Sequence, residues 1–218
     1  VSWRQSKSPE FDWVNVYSDS TGQTLIAYAT HNSSYIPPLQ ISTDRGNTWT
    51  DGAYTSGWKF TSEFTGDSNS TLWTVLNPQF YYSSDIGKNW HPATGFSDAS
   101  VLDGAVDSTG YYRYVVTDYD GFFASYDGQN WQLTTLGNAE IFTSVETDPT
   151  GQYVFVLNSK TLKYSTDYAH TWTDLQNFAG SGSPVVIPTF LKITSDHKFV
   201  YMLQKSSSSS PTTNLVRF

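Results

Sequence analysis

The sequence predicts an all-β fold, a five-bladed β-propeller of four-stranded antiparallel blades that residues 1–218 form as a single domain. Three observations support this prediction. A short phrase recurs with its closing tryptophan every 41 residues, an aspartate-centred turn recurs between the copies, and short apolar runs follow both. A fixed period of this size indicates a repeat architecture, and the aromatic and β-branched residues of the runs favour pleated sheets.

The recurring phrase reads Ser-x-Asp-x-Gly-x-x-Trp. The third copy is one residue shorter than the others, and Ala169 replaces the glycine of the fourth. We expect each copy to form the turn between the third and fourth strands of a blade. The aspartate and tryptophan of the four copies are Asp44 and Trp49, Asp85 and Trp90, Asp127 and Trp131, and Asp167 and Trp172.

The aspartate-centred turns separate the first strand of each repeat from the second. Aspartate hydrogen-bonds nearby backbone amides and glycine accepts positive φ, which is favourable hairpin chemistry. The turns begin at Asp19, Asp67, Asp107 and Asp148, with a looser fifth turn at Ser195–Lys198. Short apolar runs bounded by turn residues are typical of strands. The predicted second strands are 25–28, 72–76, 112–116, 153–157 and 199–203, and the third strands are 39–42, 80–83, 122–125, 162–165 and 215–218.

The two ends of the chain are predicted to close the ring. The first three strands occur five times but the complete phrase occurs four times, and Val1–Trp3 resembles the missing fourth strand, with Trp3 in the tryptophan position. We therefore expect this N-terminal strand to pair with the C-terminal strand Leu215–Phe218. Such closure leaves only short, protected sheet edges.

The phrase resembles the Asp-box, also called the bacterial neuraminidase (BNR) repeat, of sialidases, some glucanases, sortilin-type receptors and photosystem assembly factors. The resemblance covers nearly the whole chain and implies an Asp-box β-propeller. In that family the boxes lie on the outer rim, away from the substrate. A structural role is therefore expected, in which each aspartate accepts hydrogen bonds within its own hairpin and each tryptophan packs between blades.

Composition excludes several classes of function. A net charge of −8 with only 12 Lys and Arg argues against binding to nucleic acid and to anionic membranes, and no apolar run is long enough for membrane insertion. Cysteine is absent and the four histidines lack ligand spacing, so neither a metal nor another cofactor is expected. The sequons Asn32–Ser34 and Asn69–Thr71 favour a secreted or otherwise extracytosolic protein.

Ligands of propellers bind at the central channel, so the first strands hold the candidate site. Counting four residues back from each turn aspartate selects one polar residue per repeat, here called the channel set: Asn15, Glu63, Asp103, Ser144 and Lys192. Glu63 and Asp103, on neighbouring blades, are suited to act as acid and base, and Lys192 to keep one of them ionised. The other interpretation, which we favour, is a water-filled channel with a structural ion pair.

Loop aromatics are the second group of candidate ligand contacts. Tyr35 and Trp58 lie beside proline or glycine in predicted loops, where we expect them to be exposed and to bind a ligand. Trp13 and Trp73 are instead expected to fill the wedges between blades.

Two functional hypotheses remain. The favoured one is a non-catalytic binding or scaffold propeller that recognises glycan or protein through its loop face, alone or as a subunit of a larger assembly. The alternative is a glycoside hydrolase or lyase that uses Glu63 and Asp103. Sialidase activity is not expected, because those enzymes clamp the substrate carboxylate with three arginines and carry an Arg-Ile-Pro motif. This chain lacks the motif, and its four arginines lie in a box turn, a second strand and the two ends.

Overall fold

The computed structural model describes residues 5–29, 39–53, 58–76, 78–95, 100–136, 140–177, 186–194, 200–206 and 213–217. All regular elements in these ranges are β-strands. Among them there is no helix long and apolar enough to cross a membrane. The protein is therefore all-β over the part of the chain that can be described, as the sequence predicts.

The strands form five antiparallel sheets, in each of which neighbours in sequence are neighbours in space. Sheet 1 contains β1 (Trp13–Ser18), β2 (Leu25–Ala29), β3 (Leu39–Ser42) and β4 (Thr50–Asp51). Sheet 2 contains β5 (Thr65–Gly66), β6 (Leu72–Leu76), β7 (Gln79–Ser83) and β8 (His91–Pro92). Sheet 3 contains β9 (Val101–Val106), β10 (Arg113–Thr117), β11 (Phe122–Ser125) and β12 (Trp131–Leu133). Sheet 4 contains β13 (Ser144–Thr147), β14 (Val154–Leu157), β15 (Thr161–Ser165) and β16 (Thr173–Asn177).

Sheet 5 contains β17 (Val186–Ile193), β18 (Val200–Ser206) and β19 (Thr213–Arg217). The four-stranded blade predicted from the sequence is thus confirmed in sheets 1 to 4, and sheet 5 has three strands within the described residues. Val1–Trp3 and Phe218, on which the predicted closure depends, lie outside those residues, as does the turn Ser195–Lys198.

The aspartate-centred turns are stabilised by hydrogen bonds from their own backbone. The carboxylate of Asp107, which is almost completely buried, accepts hydrogen bonds from the amides of Thr109 (3.2 Å) and Tyr112 (2.9 Å). Asp148 forms the same pair of contacts one sheet later. Each turn therefore leads directly from the first strand of a sheet into the second.

The box turns follow a similar principle. Asp85 accepts hydrogen bonds from the Ser83 hydroxyl (2.8 Å), the Asn89 amide (2.8 Å) and the Asn89 side chain (2.6 Å). In the shortened third box the amides that donate to Asp127 belong to the residues two and three positions after it. In the other three boxes the donor amide is four positions after the aspartate. In the first box, hydrogen bonds from Thr48 lower the pKa of Asp44 to about 2. The box aspartates therefore act within their own hairpins.

The core lies between successive sheets. Trp90 is buried in a cluster that joins sheets 1 and 2, and Trp131 and Trp172 pack against the clusters that join sheets 2 and 3 and sheets 3 and 4. The backbones come close at Gly104, where a Cβ atom would collide with the ring of Phe80 on the preceding sheet. Each of these box tryptophans thus belongs to the packing between its own sheet and the sheet before it.

Replacement of Trp90 by alanine tests this packing. Trp90 is 8% exposed and its ring lies 5.8 Å from that of Phe64 and 6.0 Å from that of Phe60. We expect Trp90→Ala to lower the free energy of unfolding by about 3–5 kcal/mol, because a large buried side chain leaves a cavity. Urea unfolding followed by circular dichroism measures the change.

The matched control is Leu133→Ala, on the outermost strand of sheet 3, where the side chain is 50% exposed. This change is expected to alter the free energy of unfolding by no more than about 0.5 kcal/mol. Equal losses in the two variants would contradict the assignment of Trp90 to the core between the sheets.

Candidate functional site

One cavity of about 700 Å³ brings the whole channel set together. Asn15, Asp103, Ser144 and Lys192 lie on β1, β9, β13 and β17, which are the first strands of their sheets, and Glu63 lies two residues before β5. Counting back from the turn aspartates therefore selects residues that share one space. The roles of these residues depend on the contacts that they make in this cavity.

Lys192 lies at the centre of an ion-pair network that spans three sheets. Its Nζ is 2.8 Å from Glu63 Oε2 of the second repeat and also binds Glu146 Oε1 on β13. The side chains of Lys192 and Glu63 are 40% and 37% exposed, and that of Glu146 is 20% exposed. The ammonium thus connects sheet 5 with sheet 4 and with the start of sheet 2.

Glu146 is the residue that the sequence reasoning missed. It stands two positions after Ser144 on β13, and alternate residues of a strand point to the same face. The spacing of two residues from Ser144 is the sequence signal that identifies Glu146. The channel set does not include it because that set contains only one residue from each repeat.

Asp103 makes a different set of contacts. Its Oδ2 accepts hydrogen bonds from the Ser144 hydroxyl (3.0 Å) and the Val145 amide (3.1 Å), and its Oδ1 accepts one from the amide of Gly104 (2.9 Å). Both oxygens are therefore engaged with protein donors. Two of the three bonds cross from sheet 3 to sheet 4, so this carboxylate joins the two sheets.

The protonation of these groups is governed mainly by their removal from water. Desolvation raises the pKa of Asp103 to about 6, although its hydrogen bonds act in the opposite direction. Desolvation likewise raises the pKa of Glu146 to about 7, against the attraction of Lys192. Burial by itself lowers the pKa of Lys192, but the two glutamates outweigh it and the net shift is upward. The cavity therefore combines a persistent cation with two carboxyl groups that titrate close to neutrality.

The aromatic candidates do not converge on this cavity. Trp58 is half-buried and packs against the cluster between sheets 1 and 2, with its ring 6.3 Å from that of Tyr81. Tyr35 lies outside the described residues. Trp73 is buried, as the sequence predicts, and Trp13 is half-buried against Trp49. Within the described ranges no group of three or more His, Cys, Asp or Glu side chains is arranged to hold a metal ion.

Comparison with known proteins identifies the fold but no family. No protein-family model and no curated protein matches the chain. Solved structures do match it. An ancestral GH74 enzyme aligns with 95% of this chain at 13% identity and a TM-score of 0.61. YCF48 from Cyanidioschyzon merolae aligns with 99% at 10% identity and a TM-score of 0.64.

A structure of YCF48 bound to D1 peptide also matches, over 88% of this chain and 63% of the other, at 15% identity and a TM-score of 0.53. The chain spans 31% of the length of the GH74 enzyme and 69% of that of the Cyanidioschyzon YCF48. At such low identities the likeness concerns the fold alone. Together with the sheets described above, it shows that the chain is a β-propeller.

The raised pKa of Glu146 predicts a dependence of stability on pH. Its pKa moves from an ordinary value of 4.5 to about 7, so the folded protein holds this proton more tightly than the unfolded chain does. The free energy of unfolding should therefore fall as pH rises from about 4.5 to about 7. In Glu146→Gln the part of this fall above pH 6 should disappear, while the part due to Asp103 remains below it.

Urea unfolding of the two proteins at steps of half a pH unit measures these slopes. Parallel curves for wild type and Glu146→Gln between pH 6 and 7 would show that Glu146 does not titrate in this range.

Proposed function

We propose that the chain is a non-catalytic binding or scaffold propeller that recognises a protein partner through its loop face. The loop face is the side that carries the connections between second and third strands and between successive sheets. It includes the β10–β11 turn, where Tyr119 is 79% exposed. A large exposed aromatic side chain is a typical anchor of protein interfaces.

The observation that carries this proposal is the mutual pairing of the charged groups in the cavity. A general acid or base must be within hydrogen-bonding reach of the substrate atom that it serves. Both oxygens of Asp103 already accept hydrogen bonds from the protein, and Lys192 forms ion pairs with both Glu63 and Glu146. Such pairing holds neighbouring sheets in position, which suits a rigid frame for binding.

The structural comparison is compatible with a protein partner. Of the similar structures, one is YCF48 with a bound D1 peptide. A rigid propeller that presents loops to a peptide requires no reactive group, in agreement with the paired charges. The exposed sequon residue Asn69, in the β5–β6 turn, supports an extracytosolic location.

The hydrolase alternative is favoured by one feature, the presence of two carboxyl groups with raised pKa values in the same cavity. A general acid needs a pKa close to the working pH, and the pKa values of Asp103 and Glu146 are about 6 and about 7. If a panel of neutral polysaccharides is hydrolysed by the wild type and not by Glu63→Gln or Asp103→Asn, the alternative replaces the binding proposal.

A peptide selection tests the binding proposal directly. A peptide enriched from a random display library on the wild-type protein should lose at least about tenfold in affinity for Tyr119→Ala, because interface energy concentrates on buried aromatic anchors. The matched control is Tyr111→Ala, an exposed tyrosine at the opposite end of the same strand, β10, which should bind the peptide unchanged. Failure to enrich any peptide, or a loss confined to Tyr111→Ala, would refute recognition through the loop face.

The proposal includes a closed, five-bladed ring in which Val1–Trp3 pairs with the strand Leu215–Phe218. If Trp3 takes the place of a box tryptophan in the fifth blade, Trp3→Ala should cost about 3–5 kcal/mol in the free energy of unfolding, as for other buried tryptophans. A change of about 0.5 kcal/mol or less, typical of surface positions, would mean that Trp3 does not complete a blade.

A further inference from the structure

A second groove lies on the face opposite the loop face, between sheets 3 and 4. It has a volume of about 610 Å³. Its walls are the β9–β10 turn (107–112), Arg113 at the start of β10, part of the third box (127–129) and part of the β13–β14 turn (149–150). We propose that this groove, here called the box-face groove, binds a neutral saccharide whose sugar ring stacks on Tyr111. Its volume is in the range of small-molecule sites.

The aromatic wall of the groove is held in place before any ligand binds. Tyr111 is 49% exposed, and its ring makes an edge contact with Tyr112 at 5.2 Å between centroids. Tyr112 in turn stacks on Tyr168 of the fourth box at 4.4 Å. A fixed aromatic face that contacts a ligand loses little conformational entropy on binding, so Tyr111 is suited to stack against the apolar face of a sugar.

The backbone around the groove is equally constrained. The amide of Ser108 donates a hydrogen bond to the carbonyl of Pro149 at 2.9 Å, which joins the turns of sheets 3 and 4. Gly128 adopts a φ of +70°, and a Cβ atom there would lie 3.0 Å from the carbonyl oxygen of Gly110. A Cβ atom at Gly110 would likewise lie 2.6 Å from Asp67 Oδ2, so glycine at both positions allows the turns around the groove to pack closely against each other.

The charged residues of the groove are already engaged, which argues for an uncharged ligand. Asp107 is buried in its own turn, and Asp127 accepts hydrogen bonds from the amides of Gln129 and Asn130. The guanidinium of Arg113 lies over the Trp73 ring at 4.2 Å and donates from Nε to the carbonyl of Gly110 at 2.7 Å.

Gln129 is exposed and lines the groove, and its side-chain amide provides both a hydrogen-bond donor and an acceptor. Pairs of sugar hydroxyls present both functions to such an amide. An aromatic face beside a neutral amide therefore suits a neutral saccharide, whereas a site for an anionic or cationic ligand would need a free charge here.

Titration calorimetry with defined tetrasaccharides tests this inference. The probes are tetramers of β-linked glucose, xylose and mannose, with tetragalacturonate as the charged control. We expect at least one neutral tetramer to bind and tetragalacturonate to bind at least about tenfold more weakly. Tyr111→Ala should lower the affinity for the neutral tetramer at least about tenfold, and Tyr111→Phe should stay within about twofold because the ring face is kept.

Two further variants separate this site from the loop face. Gln129→Ala should lower the affinity for the neutral tetramer, and Tyr119→Ala should bind the tetramer with the affinity of the wild type. The inference is overturned if none of the three neutral tetramers binds, if Tyr111→Ala binds equally well, or if Tyr119→Ala alone loses the sugar. It is also overturned if the groove takes the display-selected peptide in place of sugar. The affinities of Tyr111→Ala and Tyr119→Ala are measured for both the tetrasaccharide and the peptide. A failure of the saccharide site can therefore be distinguished from a failure of the proposed protein-binding function.

Discussion

Packing between successive sheets is the constraint on which the rest of this structure depends. One repeat cannot bury its hydrophobic face by itself, and stacking against neighbouring repeats forms the continuous core. Each sheet therefore needs its neighbour, and Trp90, Trp131 and Trp172 all contribute to the clusters that join consecutive sheets. The same interface carries a polar contact, because the buried hydroxyl of Tyr114 on sheet 3 donates to the carbonyl of Gly151 in sheet 4 at 2.7 Å.

The charge network of the cavity follows from this packing. The first strands of the sheets line one cavity, and polar side chains on them lose part of their water. Groups in that position must find partners within the protein. Lys192 does so by binding Glu63 and Glu146, and Asp103 does so through Ser144 and the backbone. The raised pKa values of Asp103 and Glu146 show that desolvation outweighs these partners.

The sequence alone predicts features that repeat along the chain. It predicted the strands of four sheets, the aspartate turns and the grouping of the channel set in one cavity. It did not identify Glu146, because one residue per repeat was counted where two share a face. It also expected Trp58 to be exposed, and the structure shows it half-buried against Tyr81. That contact joins residues of different loops and strands, which no local pattern reports.

The sequence by itself determined the turns, the box hairpins and the order of the strands, because each depends on contacts between residues only a few positions apart. The tertiary structure decided which charges pair and which tyrosines face solvent. Lys192 and Glu146 are 46 positions apart, and Ser144 and Asp103 are 41 apart. Such contacts depend on how closely neighbouring sheets approach and on the reach of each side chain. Sequence periodicity describes neither quantity.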